Sequence, residues 1–127
     1  PYTGKEGYFR RAEKVLRLYY DAMGQQPFGF AHMLGALDYY LEKPKEIVLV
    51  GQKKDPTTQA FLNKIHSFYL PNKTLQLVEP GESLGKISPL LEGKTQLNGK
   101  ATVYVCHNFT CSPPVTEREE LEALLEG

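Results

Sequence analysis

The two cysteines of the sequence, Cys106 and Cys111, stand with four residues between them in YVCHNFTCSPPVT (104–116), and His107 follows the first directly. Residues of these types can exchange disulfides, bind zinc or simply pack. C-x4-C differs from the C-x-x-C of thioredoxin-like centres, whose tight spacing sets one thiol at a helix N-terminus and lowers its pKa. A zinc site needs four N or S donors, and Cys106, His107 and Cys111 supply three. Adjacent strand residues also point to opposite faces, so Cys106 and His107 share a metal only if the strand has already ended. The favoured reading is two small, packed thiols at the end of a buried strand. A disulfide or redox pair comes next and a metal site last; no resident metal or cofactor is expected.

The turn VGQKKDP offers a second chemistry. Ligands of α/β proteins gather at the carboxyl ends of strands, where helix N-termini carry unpaired N–H groups. Gly51, Lys53, Lys54 and Asp55 occupy such an end and are the candidate ligand-binding residues. Neither G-x-G-x-x-G nor G-x-x-x-x-G-K-[ST] is present, so a structural turn with a solvated lysine pair is the favoured reading. General acid–base partners are scattered. His32 and His66 sit on separate predicted helices, and Glu117, Glu119 and Glu120 suit the positive end of a helix better than a glycosidase pair.

The elements that must hold these residues follow from periodicity. Tyr8, Ala12, Val15, Leu16, Tyr19 and Met23 recur at helical spacing, and Gly24 is the expected stop. Pro27 opens a second helical segment carrying Phe30, Met33, Leu34, Leu37 and Leu41, which Pro44 ends. EIVLVG (46–51) reads as a strand covered on both faces. Asp55-Pro56 caps a helix bearing Phe61, Ile65 and Phe68, which Pro71 stops. TLQLVEPG (74–81) and ATVYVC (101–106) are further strands, SLGKISPLLEG (83–93) a short helix interrupted at Pro89, and Thr116 with Glu119 a capping box for the last helix. This pattern predicts an α/β fold: an N-terminal helical hairpin (1–44), then a small α/β unit (45–127) with a three-stranded, mainly parallel sheet and helices packed on it.

Composition narrows the function classes. The chain has 127 residues, enough for one core without metals or disulfide scaffolding. Fifteen basic side chains balance fifteen acidic ones, so no net field draws nucleic acid or an anionic membrane, and neither is an expected partner. No apolar run approaches the roughly 18–20 residues that span a bilayer. The N-terminus lacks an apolar signal region and an initiating Met, pointing to a piece of something longer. Two cysteines favour a reducing, cytoplasmic compartment, against which the glycosylation-type tripeptides at Asn72 and Asn108 weigh little. The hairpin carries Tyr8, Phe9, Tyr19, Tyr20, Phe28, Phe30, Tyr39 and Tyr40 on more than one side, more apolar surface than a small sheet can cover.

PFGFAHMLGALDYYLEKPKEIVLVG, FYLPNKTL and ATVYVCHNFTCSPPVT with its terminal acidic helix resemble the C-terminal end of a family of long thioredoxin-domain-containing proteins, whose animal member is named for spermatogenesis. The resemblance spans essentially the whole chain, and the YVC-x-NF-x-C-x-x-PVT segment is its most specific part. It implies a parent protein with a thioredoxin-like domain, then an α/α toroid similar to N-acylglucosamine 2-epimerases and six-hairpin glycosidases. This chain would then be a non-catalytic scaffold or interface portion. The hairpin would end the toroid, meeting upstream domains of the same parent or a second copy of the chain. The parent's thioredoxin-like cysteines and any sugar pocket would lie elsewhere.

Overall fold

The computed structural model describes residues 3–82, 88–108 and 110–126. Helix α1 (Glu6–Gln25) and helix α2 (Ala31–Glu42) form the expected hairpin, joined by a 3-10 turn at Pro27–Phe30. α1 runs through Gly24 and closes where the Gln26 N–H donates to the Ala22 carbonyl. Met23 and Leu16 are the buried residues of α1, and Phe9 stacks on Tyr40 across the hairpin at 5.4 Å.

Strand β1 (Lys45–Val50), helix α3 (Pro56–Ser67) and strand β2 (Lys73–Val78) make a parallel βαβ unit. The Asp55 carboxylate accepts from the Thr57 N–H at 2.8 Å with Pro56 behind it, so the cap and the N1 proline expected from the sequence start α3. α3 ends at Ser67, short of Pro71.

Strand β3 (Thr102–His107) lies beside β1 but runs antiparallel to it, and a short strand β4 (Thr110–Cys111) hairpins back on β3. The sheet order among the described residues is β2-β1-β3-β4. The α/β class stands as expected, whereas the sheet is mixed and four-stranded rather than three-stranded and mainly parallel. The cause is the β2–β3 connection. A parallel strand needs a crossover that carries the chain back to the starting end of the sheet. Here Pro89–Leu91 forms only a 3-10 turn, and β3 starts with Thr102 opposite Val50, at the end where β1 finishes. The helix expected over 83–93 falls partly on residues 83–87, outside those described.

Helix α4 (Arg118–Glu126) starts beyond Thr116, so its cap position falls at Glu117 rather than at the expected capping box. The Lys45 ammonium donates to the Leu124 and Leu125 carbonyls at 3.3 and 3.4 Å, placing a cation at the negative end of α4. Lys64 of α3 pairs with Glu122 of α4.

The apolar core lies on the sheet. On one face Ile47, Leu49, Val103 and Val105 pack against Phe61 and Ile65 of α3 and Leu121 and Leu125 of α4. The opposite face is thinner, with Val48, Val50, Val78 and Leu91. Neither cluster contains a residue of α1 or α2.

Candidate functional site

β3 is an apolar run whose alternate residues face the two sheet sides, and Cys106 is fully buried on the thinner one. Beyond His107, Asn108 turns the chain with φ 51°, a left-handed conformation that asparagine tolerates. The turn sets Thr110 opposite His107 and Cys111 opposite Cys106. The two sulfurs are joined as a disulfide, with Cα atoms 3.9 Å apart. Two packed thiols were the favoured expectation, and the structure replaces them with a bonded pair. The free-thiol reading let the strand end at Cys106, whereas the chain folds straight back as β4. Cys111 is an exposed residue and Cys106 a fully buried one, so the two ends of the bond differ in burial.

His107 is exposed and takes the opposite side of the strand from Cys106. With both sulfurs bonded to each other, the Cys106, His107 and Cys111 ligand set has no thiolate to offer. Among the described residues no group of three or more His, Cys, Asp or Glu is arranged to hold a metal.

The register shows a residue that sequence reasoning missed. Glu46 of β1 pairs with Cys106 on β3 and with Thr74 on β2, so Thr74, Glu46, Cys106 and Cys111 form one row across the four strands, on one face. Burial pushes the Glu46 carboxyl above the usual carboxylate range, and the charge of Lys94 opposes that shift. Burial likewise lowers the Lys94 ammonium, opposed by Glu46. Lys94 also lies over the Tyr104 ring at 5.7 Å, and the Tyr104 hydroxyl donates to the Thr95 carbonyl at 2.6 Å. The available signal was a lone carboxylate opening the apolar run EIVLVG.

The Gly51–Asp55 turn is engaged internally. Gly51 is buried, and a Cβ there would collide with Thr58 Oγ1 and come within 3.3 Å of the Ala101 Cβ. The Lys53 N–H donates to the Glu79 carboxylate at 3.2 Å, the Gln59 amide donates to the Lys53 carbonyl, and Asp55 caps α3. Lys53 and Lys54 are exposed. A cleft of about 500 Å³ opens at the carboxyl ends of β1 and β2, lined by Val50, Val78, Glu79, Glu82, Glu92 and Lys94 among others. None of Gly51, Lys53, Lys54 and Asp55 is among its lining residues.

His32 and His66 are exposed on α2 and α3. Asn72 donates its side-chain amide to Asp38 at 2.7 Å, tying the residue before β2 to α2. No helix of the described residues is long and apolar enough to cross a membrane.

No family model matches the chain, and no solved structure does. Among curated proteins it is 32% identical over 126 residues to human spermatogenesis-associated protein 20, an alignment covering 98% of the chain. The rat protein of that name is 32% identical over 125 residues and the mouse protein 31% over 126. The chain spans about 16% of the length of these relatives. It therefore matches one segment of the larger spermatogenesis-associated protein 20 family.

Proposed function

We propose that this chain is a non-catalytic scaffold and interface portion, at the C-terminal end of a larger protein with a thioredoxin-like domain and an epimerase- or glycosidase-like helical toroid. The observation that carries this is an apolar seam on α1 that is largely exposed, with its Tyr19 ring 6.1 Å from Phe30 and Ala22 half-buried. Tyr8, Ala12, Val15, Tyr19 and Ala22 follow one another at spacings of four and three, the pattern of a helix that meets another helix. Tyr8, Val15 and Tyr19 are 58%, 46% and 41% exposed. Leu18, Tyr20, Phe28 and Leu41 add to the exposed apolar surface of the hairpin, while α2 contains no buried residue. Large exposed apolar patches are uncommon on monomeric proteins and mark interaction sites.

Residues 1–44 then act as the last helical pair of the toroid, and 45–127 as an α/β unit that closes it. Burying the rings against a neighbouring helix contributes about 25 cal/mol per Å² of apolar surface. The partner is the upstream part of the same parent, or failing that a second copy of the chain. Mixing the chain with the remainder of its parent is expected to give a stable complex and a raised melting temperature. Two components that sediment and melt independently would contradict the reading. We also assign a cytoplasmic setting, on the grounds of the two-cysteine content. In that setting a closed Cys106–Cys111 bond favours a redox reading of the pair, because disulfides of reducing compartments are usually transient and catalytic or redox-sensing.

A further inference from the structure

We propose that Cys106–Cys111 is a thiol–disulfide exchange site, attacked by an external thiolate at the sulfur of the exposed residue Cys111, with Glu46 as the proton donor to the departing Cys106. This site is independent of the α1 seam. Three placements carry it. Cys111 lies on the two-residue edge strand β4 and is an exposed residue, whereas Cys106 is fully buried, so the Cys111 end of the bond is the one next to solvent. Glu46 is the residue paired with Cys106 on the strand opposite Cys111, and Cβ atoms of such pairs lie about 4.5–5.5 Å apart. The Glu46 carboxyl is half-buried on the same sheet face, where the departing sulfur would otherwise be left as a poorly solvated anion.

The chemistry balances in two steps. A thiolate RS⁻ forms a bond to Cys111 Sγ, the Sγ–Sγ bond breaks, and its electron pair leaves on Cys106. Glu46 in its acid form transfers its proton to that thiolate, giving Cys106–SH and a carboxylate that is reprotonated from solvent. A second thiolate then attacks the mixed disulfide, forming RSSR and leaving Cys111 as a thiol after protonation. Two thiols are oxidised and one disulfide is reduced. The substrate class is a thiol or dithiol reductant, and the site works in reverse with a disulfide oxidant.

Charge explains why the protonation state of Glu46 matters. A neutral carboxyl can donate, while a carboxylate beside the leaving sulfur repels the anion. Burial raises this carboxyl above its usual range. Among the described residues, the groups that face it are Thr74 from β2, Cys106 from β3 and the Lys94 ammonium from the segment before β3.

The test uses the oxidised chain, reduced glutathione from about pH 5 to pH 8, acid trapping and peptide mapping. Glutathione is expected on Cys111. The exchange rate constant per glutathione thiolate is expected to fall at least about tenfold as pH rises through the Glu46 titration. E46Q should give a lower, flat profile, and E46D, which keeps an acid, should retain the fall. Glutathione on Cys106, a flat wild-type profile, or a wild-type profile that E46Q reproduces would overturn the proposal. The first two readouts need no variant to fold.

Discussion

Gly51 ends β1 because nothing larger fits between Thr58 and Ala101. That close approach is a packing reason for glycine at this strand end. Gly51→Ala is expected to cost about 1–3 kcal/mol by overpacking. Thr58→Ala in the same chain should recover part of that cost, since it removes the colliding hydroxyl. Urea unfolding of the two single variants and the double variant checks both. Glu46 leads to a pH prediction. In the folded chain burial makes it hold its proton more tightly than in the unfolded chain, where the ordinary value is about 4.3. Its contribution to stability is therefore complete below that ordinary value and is lost as pH rises through the raised one. Glu122 works the other way. Its hydrogen bond from Lys64, helped by the charges of Lys64 and Arg118, lowers it, so its contribution is lost as pH falls through the lowered value. The difference in melting temperature between wild type and E46Q isolates the first effect. Wild type should lose ground to E46Q as pH rises through the range just above ordinary carboxylates. A constant difference across that range would contradict the burial of Glu46.

Among the elements, the disulfide closes a short loop, with a sequence separation of 5 between its cysteines. Loop-closure reasoning then gives it at most about 2 kcal/mol. Reduction is expected to lower the unfolding free energy from urea titration by that order and leave the far-ultraviolet circular dichroism unchanged. By contrast Phe61→Ala, which empties the α3 side of the core, should cost about 3–5 kcal/mol. β1 and α3 were legible in the sequence because their signals are local: a β-branched run, then Asp55-Pro56 at a cap. The direction of β3 was not legible. ATVYVC is apolar on both faces, so its pattern encodes burial but not orientation. The orientation is set by where the β2–β3 connection delivers the chain. β4 left a fainter trace, Asn108 as a turn residue after the strand. That trace counts only once Cys111 is known to return to Cys106.

At the scale of the molecule the apolar surface divides unevenly. The sheet, α3 and α4 bury their side chains against one another, while α1 presents Tyr8, Val15 and Leu18 to solvent. The aromatic excess of the hairpin was legible in composition, but the seam was not separable from the α1–α2 contact until the structure showed which residues α2 covers. Leu16 and Met23 are the buried residues of α1 and Phe9 stacks on Tyr40 of α2, while Tyr8, Val15 and Leu18 stay exposed. Val15→Lys and Leu18→Lys are expected to change the stability of the isolated chain by no more than about 0.5 kcal/mol, as for other surface sites. The same changes should weaken association with the rest of the parent by at least tenfold, which sedimentation reads directly. The most direct measurement is hydroxyl-radical footprinting of Tyr8, Val15, Leu18 and Tyr19 in the isolated chain and in the full-length parent. Strong labelling in the chain and protection in the parent is the predicted result. Equal labelling in both would show that the seam is never covered, and would contradict its role as an interface.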